Sequence, residues 1–263
     1  MSENVVVVGL GQLGQLLSEG LAATGHTVIP VRRDQSLATR LGASVRAVVS
    51  AVGEDSAQSI LDQTPEAWLD RLVLLQNELR PELWLSRYRT AGTALGPSVL
   101  VVWFEKKQGQ APHVVLPSVV FGPQSELLLS VLSALNLPVR QVHEPAELYH
   151  ELCLKNLYIL GLNLSGLRGV KTAGELLSDE GPFDVLVDEL IELEQASLTQ
   201  AGVAHVLHAV SLKNELRAAL LADPGHACAG RTARARLLRT LALADKYNVA
   251  LPLCRRIAQQ SCP

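Results

Sequence analysis

Aromatic side chains are scarce in this chain: tryptophan, tyrosine and phenylalanine make up 4% of its 263 residues. That scarcity argues against a surface on which nucleic-acid bases stack. An excess of one charge is missing too. The formal net charge is −3, so no strong field draws the chain to nucleic acid or anionic lipid. The four cysteines, Cys153, Cys228, Cys254 and Cys262, show no C-x-x-C pair and no metal-ligand spacing. Reduced thiols in a cytoplasm are the plain expectation. His205 and His208 stand three apart without a carboxylate or cysteine pattern beside them, so no metal site is expected either. No apolar run approaches the ~20 residues of a membrane span. Glu3 leads directly into a strand with no basic segment ahead of an apolar one, so no signal peptide is expected. Internal repeats and low-complexity tracts are absent.

What is present is a large apolar fraction, 48%, enough for one large core or two ordinary ones. The first half alternates strands and helices. Residues 4–9 are expected to form a buried parallel strand, because their continuous valine run fits a strand covered on both faces. Helical spacing follows from Leu13 to Thr24, with Gly25 as its stop. Strands are expected at 26–31, 45–52 and 72–77, with a helix around 56–62. Residues 98–106 and 113–122 read as a hairpin or an antiparallel extension, 123–136 as a helix and 138–143 as a short strand. After Glu144 the pattern turns helical. A long helix spans 144–167 with Pro145 in its first turn, and further helices are expected at 183–202, near 205–222, at 231–248 and from Pro252. The fold expected is α/β, a doubly wound, largely parallel sheet over residues 1–144, followed by an all-α domain over 145–263. Arg231, Arg234, Arg236 and Arg239 recur with helical spacing. They read as one basic helix face, solvated or in contact with a phosphate.

The strand at the N-terminus runs into glycines spaced G-x-G-x-x-G, in "VVVVGLGQLG". Gly9 permits a tight turn, Gly11 lets a pyrophosphate approach the backbone, and Gly14 lets the helix pack close to the strand. Gln12 and Leu13 sit at the helix N-terminus, whose free N–H groups favour phosphate. The position between a strand and a helix makes this a dinucleotide-binding motif. The second strand ends "VIPVRRD", placing Arg32 and Arg33 where an NAD site usually has an acid. A guanidinium matches a 2′-phosphate, so NADP is expected over NAD.

Together these segments resemble the ketopantoate reductase (2-dehydropantoate 2-reductase) family, a Rossmann-type domain followed by a helical one. "VVVVGLGQLG" is similar to the family's nucleotide loop. "LVLLQNEL" resembles its strand ending in asparagine, which puts Asn77 at a cofactor- and substrate-contacting position. "SVVFGP", "AELYHELCLKNLYILGLNLSGL" and "GRTARARLL…YNVALP" resemble later parts of the family pattern. Aligned on Ala146–Leu148, Glu151 occupies the place of the family's catalytic lysine. Shifted by one helical turn, Lys155 takes that place and Asn163 that of an asparagine. Both registers remain open at this point. Ala233 replaces the substrate-binding glutamate after Thr232, Glu54 replaces a lysine, and the segment between the second and third strands is short by one strand–helix excursion.

The resemblance implies an NADPH-dependent reductase of a small, 2-keto-acid-like carbonyl substrate. Lys155 and Asn163 would be catalytic, and Asn77 and Ser165 would bind substrate. Two other readings stand beside it: a non-catalytic NADP(H)-binding sensor or scaffold, and an imine or β-hydroxyacid reductase. A homodimer packed through the apolar stripes of the helical half is compatible with the sequence.

Overall fold

The computed structural model describes residues 3–261, apart from Arg33, Asp34, Leu41, Ala43, Ser44, Asn77, 92–95, Asp179, Ala229 and Arg231. Two compact units emerge. One holds Met1–Asn77 with Glu82–Leu148, the other Glu78–Pro81 with Tyr149–Pro263.

In the first unit, β1 (Asn4–Val8), α1 (Gln12–Ala23), β2 (Thr27–Val31), β3 (Val45–Ser50), α2 (Glu54–Gln63), β4 (Leu72–Leu75), α3 (Glu82–Thr90) and β5 (Ser98–Val101) follow in order. Next come β6 (Phe104–Glu105), β7 (His113–Val114), β8 (Ser118–Phe121), α4 (Ser125–Ala134) and β9 (Val139–Gln141). Among the described residues, seven strands form one sheet in the order β2-β1-β3-β4-β5-β8-β9. Every pair is parallel except β5 with β8. Val5, Val6 and Val7 are wholly buried, because a central parallel strand is covered on both faces. Val5 and Val7 share a core with Leu16, Leu17 and Leu21 of α1 and Leu128, Val131 and Leu132 of α4. Gly20 lets those two helices close up, since a Cβ there would lie 2.8 Å from the Val131 and Leu135 side chains.

Two details differ from the sequence pattern. The run 98–106 divides into β5 and β6, and 113–122 into β7 and β8. Hairpin and antiparallel extension each hold in part, because β6–β7 is a separate antiparallel pair while β5–β8 extends the main sheet. Residues 82–90, to which pattern alone assigns no element, form α3. Its buried Trp84 and Tyr88 lie among charged residues that dilute the apolar spacing. Between β2 and β3 the described residues make only a 3-10 turn, Leu37–Arg40, in line with the short segment there.

The second unit is built around α5 (Pro145–Leu167), followed by α6 (Ala173–Ser178), α7 (Glu180–Gln200), α8 (Ala209–Ala222), α9 (Ala233–Tyr247) and α10 (Pro252–Ser261). Glu147 starts α5 by accepting the backbone N–H groups of His143 and Glu144 at 2.9 and 3.0 Å. Residues 151–165 are buried around nearly the whole helix, as a central core helix requires. The helix expected near 205–222 begins at Ala209. The Gln195 amide holds the preceding loop open, donating to the His205 carbonyl at 3.0 Å and accepting from the Leu207 N–H at 2.8 Å.

Candidate functional site

The glycine turn between β1 and α1 is sterically determined. Gly9 sits at φ +89°, and a Cβ there would lie 2.8 Å from the Ala51 carbonyl oxygen. A Cβ on Gly14 would lie 1.9 Å from the Gly9 carbonyl oxygen. Gly11 is different. It precedes α1 in extended conformation (φ −71°, ψ −170°) with no capping side chain, and a Cβ there would meet nothing within 4 Å. Two glycines thus close the turn, and the third leaves open space over the first-turn N–H groups of Gln12, Leu13 and Gly14.

That open space belongs to a cleft of about 600 Å³ at the carboxyl ends of the strands. Val8, Gly9, Leu10 and Gly11 line it from β1, Val31, Arg32 and Gln35 from β2, and Ala51, Val52 and Gly53 from β3. The chain leaves β1 toward β2 on one side, and β3 lies on the other. The cleft therefore lies at the point where strand order reverses, the usual place for ligands in such sheets. Gly53 precedes α2 as Gly11 precedes α1, again with no side-chain cap. Two helix N-termini with free N–H groups so border one cleft, and this donor set suits an anionic pyrophosphate. Arg32 is exposed at its rim, and its backbone N–H donates to Gln35 Oε1 at 3.2 Å. Arg33 and Asn77 lie outside the described residues.

Lys155, Asn163 and Ser165 all lie on α5 and are buried. Lys155 Nζ sits 5.3 Å from the centroid of the Tyr158 ring, a cation–π distance. Asn163 donates from Nδ2 to the Ile159 carbonyl at 2.7 Å, one turn back. Its Oδ1 accepts a long bond, 3.5 Å, from Arg236 Nη1. Ser165 is wholly buried, and its hydroxyl has no hydrogen bond among the described residues. Glu151 is also buried, one turn before Lys155. Lys155 and Asn163 lie two turns apart, about 12 Å along the helix axis. Ser165 leaves the axis on the side away from Asn163.

Two buried polar clusters in this unit bring together residues that the sequence does not pair. Glu78 is buried, and its Oε1 accepts from Arg236 Nε at 3.1 Å and Arg239 Nη2 at 2.8 Å. The arginine spacing indicated a common face but not a carboxylate 158 residues away in sequence. Arg234 of the same run is exposed, and Arg231 is outside the described residues. In the core, Glu194 Oε1 accepts from Asn156 Nδ2 at 2.9 Å. Burial pushes the Glu194 carboxyl up to about 8, against hydrogen bonds from Cys153 and Asn156 that hold it down. Burial likewise raises the Cys153 thiol. It lowers His205, helped by His150 and His208 nearby. Among the described residues no group of His, Cys, Asp or Glu is arranged to hold a metal ion, and no helix is long and apolar enough to cross a membrane.

No protein-family model and no curated protein sequence matches the chain. Solved structures do match it along nearly its whole length. A PanE/ApbA family ketopantoate reductase from Ralstonia eutropha JMP134 superposes with a TM-score of 0.61 at 17% identity, covering 98% of this chain and 97% of its own. D-mandelate dehydrogenase in a ternary structure with NADH and anilino(oxo)acetate gives 0.66 at 11% identity, covering 98% and 97%. The dimeric ketopantoate reductase from Staphylococcus aureus gives 0.58 at 12% identity, covering 97% and 96%. The chain therefore carries the fold of the ketopantoate reductases, which the D-mandelate dehydrogenase shares.

Proposed function

We propose that this chain is an NADPH-dependent reductase of a small carbonyl substrate of the 2-keto acid type. The observation that carries the reading is the glycine turn: side chains are sterically excluded at Gly9 and Gly14, while Gly11 opens onto a cleft bordered by two helix N-termini. A dinucleotide's pyrophosphate fits that donor set, and Arg32 at the rim, with Arg33, would meet a 2′-phosphate. Likeness to structures of ketopantoate reductases and of a D-mandelate dehydrogenase holding NADH supports a nicotinamide cofactor and a keto acid substrate.

A bound nicotinamide supplies the hydride. The protein's part is to orient the carbonyl and to place a proton and a positive charge where its oxygen becomes an alkoxide. Lys155 is the residue we assign to that task, with Asn163 and Asn77 as polar neighbours of the substrate; Ser165, wholly buried on the opposite side of α5 from Asn163, is not assigned to it. The dimeric Staphylococcus aureus structure supports a homodimer. Buried thiols at Cys153, Cys228 and Cys254 suit a reducing compartment such as the cytoplasm.

A second reading, a nucleotide-binding sensor without turnover, is favoured by one observation: the Lys155 ammonium rests over the Tyr158 ring within the helical core. The Lys155→Ala variant separates the two. A reductase loses at least 100-fold in kcat with a panel of 2-keto acids, the usual scale for removing a general acid, and keeps its NADPH affinity. A wild-type protein that binds NADPH and turns over none of the panel would favour the sensor.

A further inference from the structure

The run of arginines on α9 acquires a purpose from the buried carboxylate it meets. Glu78 Oε1 holds Arg236 through Nε at 3.1 Å and Arg239 through Nη2 at 2.8 Å. The side chains are only 10% exposed for Glu78, 18% for Arg236 and 27% for Arg239. Two guanidinium groups converge on one carboxylate oxygen in a largely desolvated place, where charge interactions are strong. Arg239 alone already gives Glu78 a short charge-assisted bond, so Arg236 is not required to neutralise it. The contact through Nε instead fixes the plane of the Arg236 guanidinium. Its outer edge, Nη1 and Nη2, makes only the long 3.5 Å bond to Asn163 Oδ1 among the described contacts. Nη2 makes none of them, and it is not sealed away in the core without a partner.

We propose that this edge is a carboxylate-binding fork: Arg236 grips the carboxylate of the substrate, Glu78 and Arg239 hold the fork in position, and Asn163 trims its outer corner. Guanidinium edges match planar carboxylates with two parallel N–H···O bonds. All four residues belong to the helical unit, and α5 carries both Asn163 and Lys155. The proposal rests on the reductase reading for its substrate class, and it names the group of a 2-keto acid that is recognised before any hydride moves.

The test uses the full-length protein and oxamate, a non-reducible isostere of a 2-keto acid, titrated by calorimetry with and without NADPH. Oxamide, which lacks the charge, and inorganic phosphate serve as comparators. Wild type should bind oxamate at least tenfold tighter than either comparator. Arg236→Lys, which keeps the charge but not the fork, should lose at least tenfold in oxamate affinity. The double variant Glu78→Gln/Arg236→Gln leaves no uncompensated carboxylate, keeps an amide oxygen to accept from Arg239, and should show the same loss while remaining folded. Oxamate binding that is undetectable at millimolar concentration in wild type, matched by phosphate, or unaltered in the folded double variant would overturn the assignment. Failure of NADPH to bind while oxamate still binds through Arg236 would sink the reductase reading and leave the fork standing.

Discussion

A Cβ at position 11 would touch nothing, whereas one at position 14 would collide with the Gly9 carbonyl oxygen at 1.9 Å. The two glycines of one motif therefore serve different ends, and substitution tells them apart. Gly14→Ala should destabilise the fold by about 1–3 kcal/mol, the scale of overpacking, measured by denaturant unfolding. Gly11→Val, in a backbone conformation open to any residue, should leave the unfolding midpoint in place and abolish NADPH binding. Glu194 makes a second residue-scale prediction. Its carboxyl is raised to about 8 by burial, so between the ordinary glutamate range and pH 8 the folded protein keeps a proton that the unfolded chain has lost. Stability should fall as pH rises through that window, by a few kcal/mol in all, since one proton retained across each pH step of one is worth roughly 1.4 kcal/mol. Glu194→Gln should flatten this slope, equalling wild type near pH 4 and exceeding it near pH 8. Sequence alone does not show this residue. In "ELIELEQASL" Glu192 and Glu194 look alike, and only the packing of α7 turns Glu194 inward while Glu192 borders a surface groove. The glycines were legible because their requirement is local. Glu78 was not, because its partners lie on α9.

The elements form where pattern and capping agree. The valine strand, the helix after it and the long α5 were readable because burial on both faces, a glycine turn and a proline in the first turn leave direct marks. The start of α8 at Ala209 was not, because a side-chain amide from α7 holds residues 205–207 out of the helix. A similar long-range cap starts α10: the Glu189 carboxylate accepts the N–H groups of Leu253 at 2.6 Å and Cys254 at 3.0 Å, within the core. A carboxylate there satisfies two free helix donors and complements the positive helix end. Glu189→Ala should cost about 2–6 kcal/mol, since two buried donors are left unsatisfied. Amide hydrogen exchange should report the loss first at the start of α10. Unchanged protection there would show that water replaces the carboxylate without penalty.

At the scale of the molecule, chain order and spatial grouping part company at one point. Residues Glu78–Pro81, directly after a strand of the sheet, group with the helical unit, because the Glu78 carboxylate is held by two arginines of α9. No periodicity in "LVLLQNEL" announces that exchange. The alternation of strands and helices and the change to helices after residue 144 were legible, and they lead to the same fold as the solved ketopantoate reductases. The central claim is that the cleft at the end of β1 holds a dinucleotide and prefers NADPH. The measurement that tests it most directly is a titration of the wild-type protein and of Gly11→Val with NADPH and, separately, NADH, followed by nicotinamide fluorescence. Wild type should bind NADPH at least tenfold more tightly than NADH, and Gly11→Val should bind neither while remaining folded. A wild-type protein that binds neither, or a folded Gly11→Val that binds NADPH as wild type does, would contradict it.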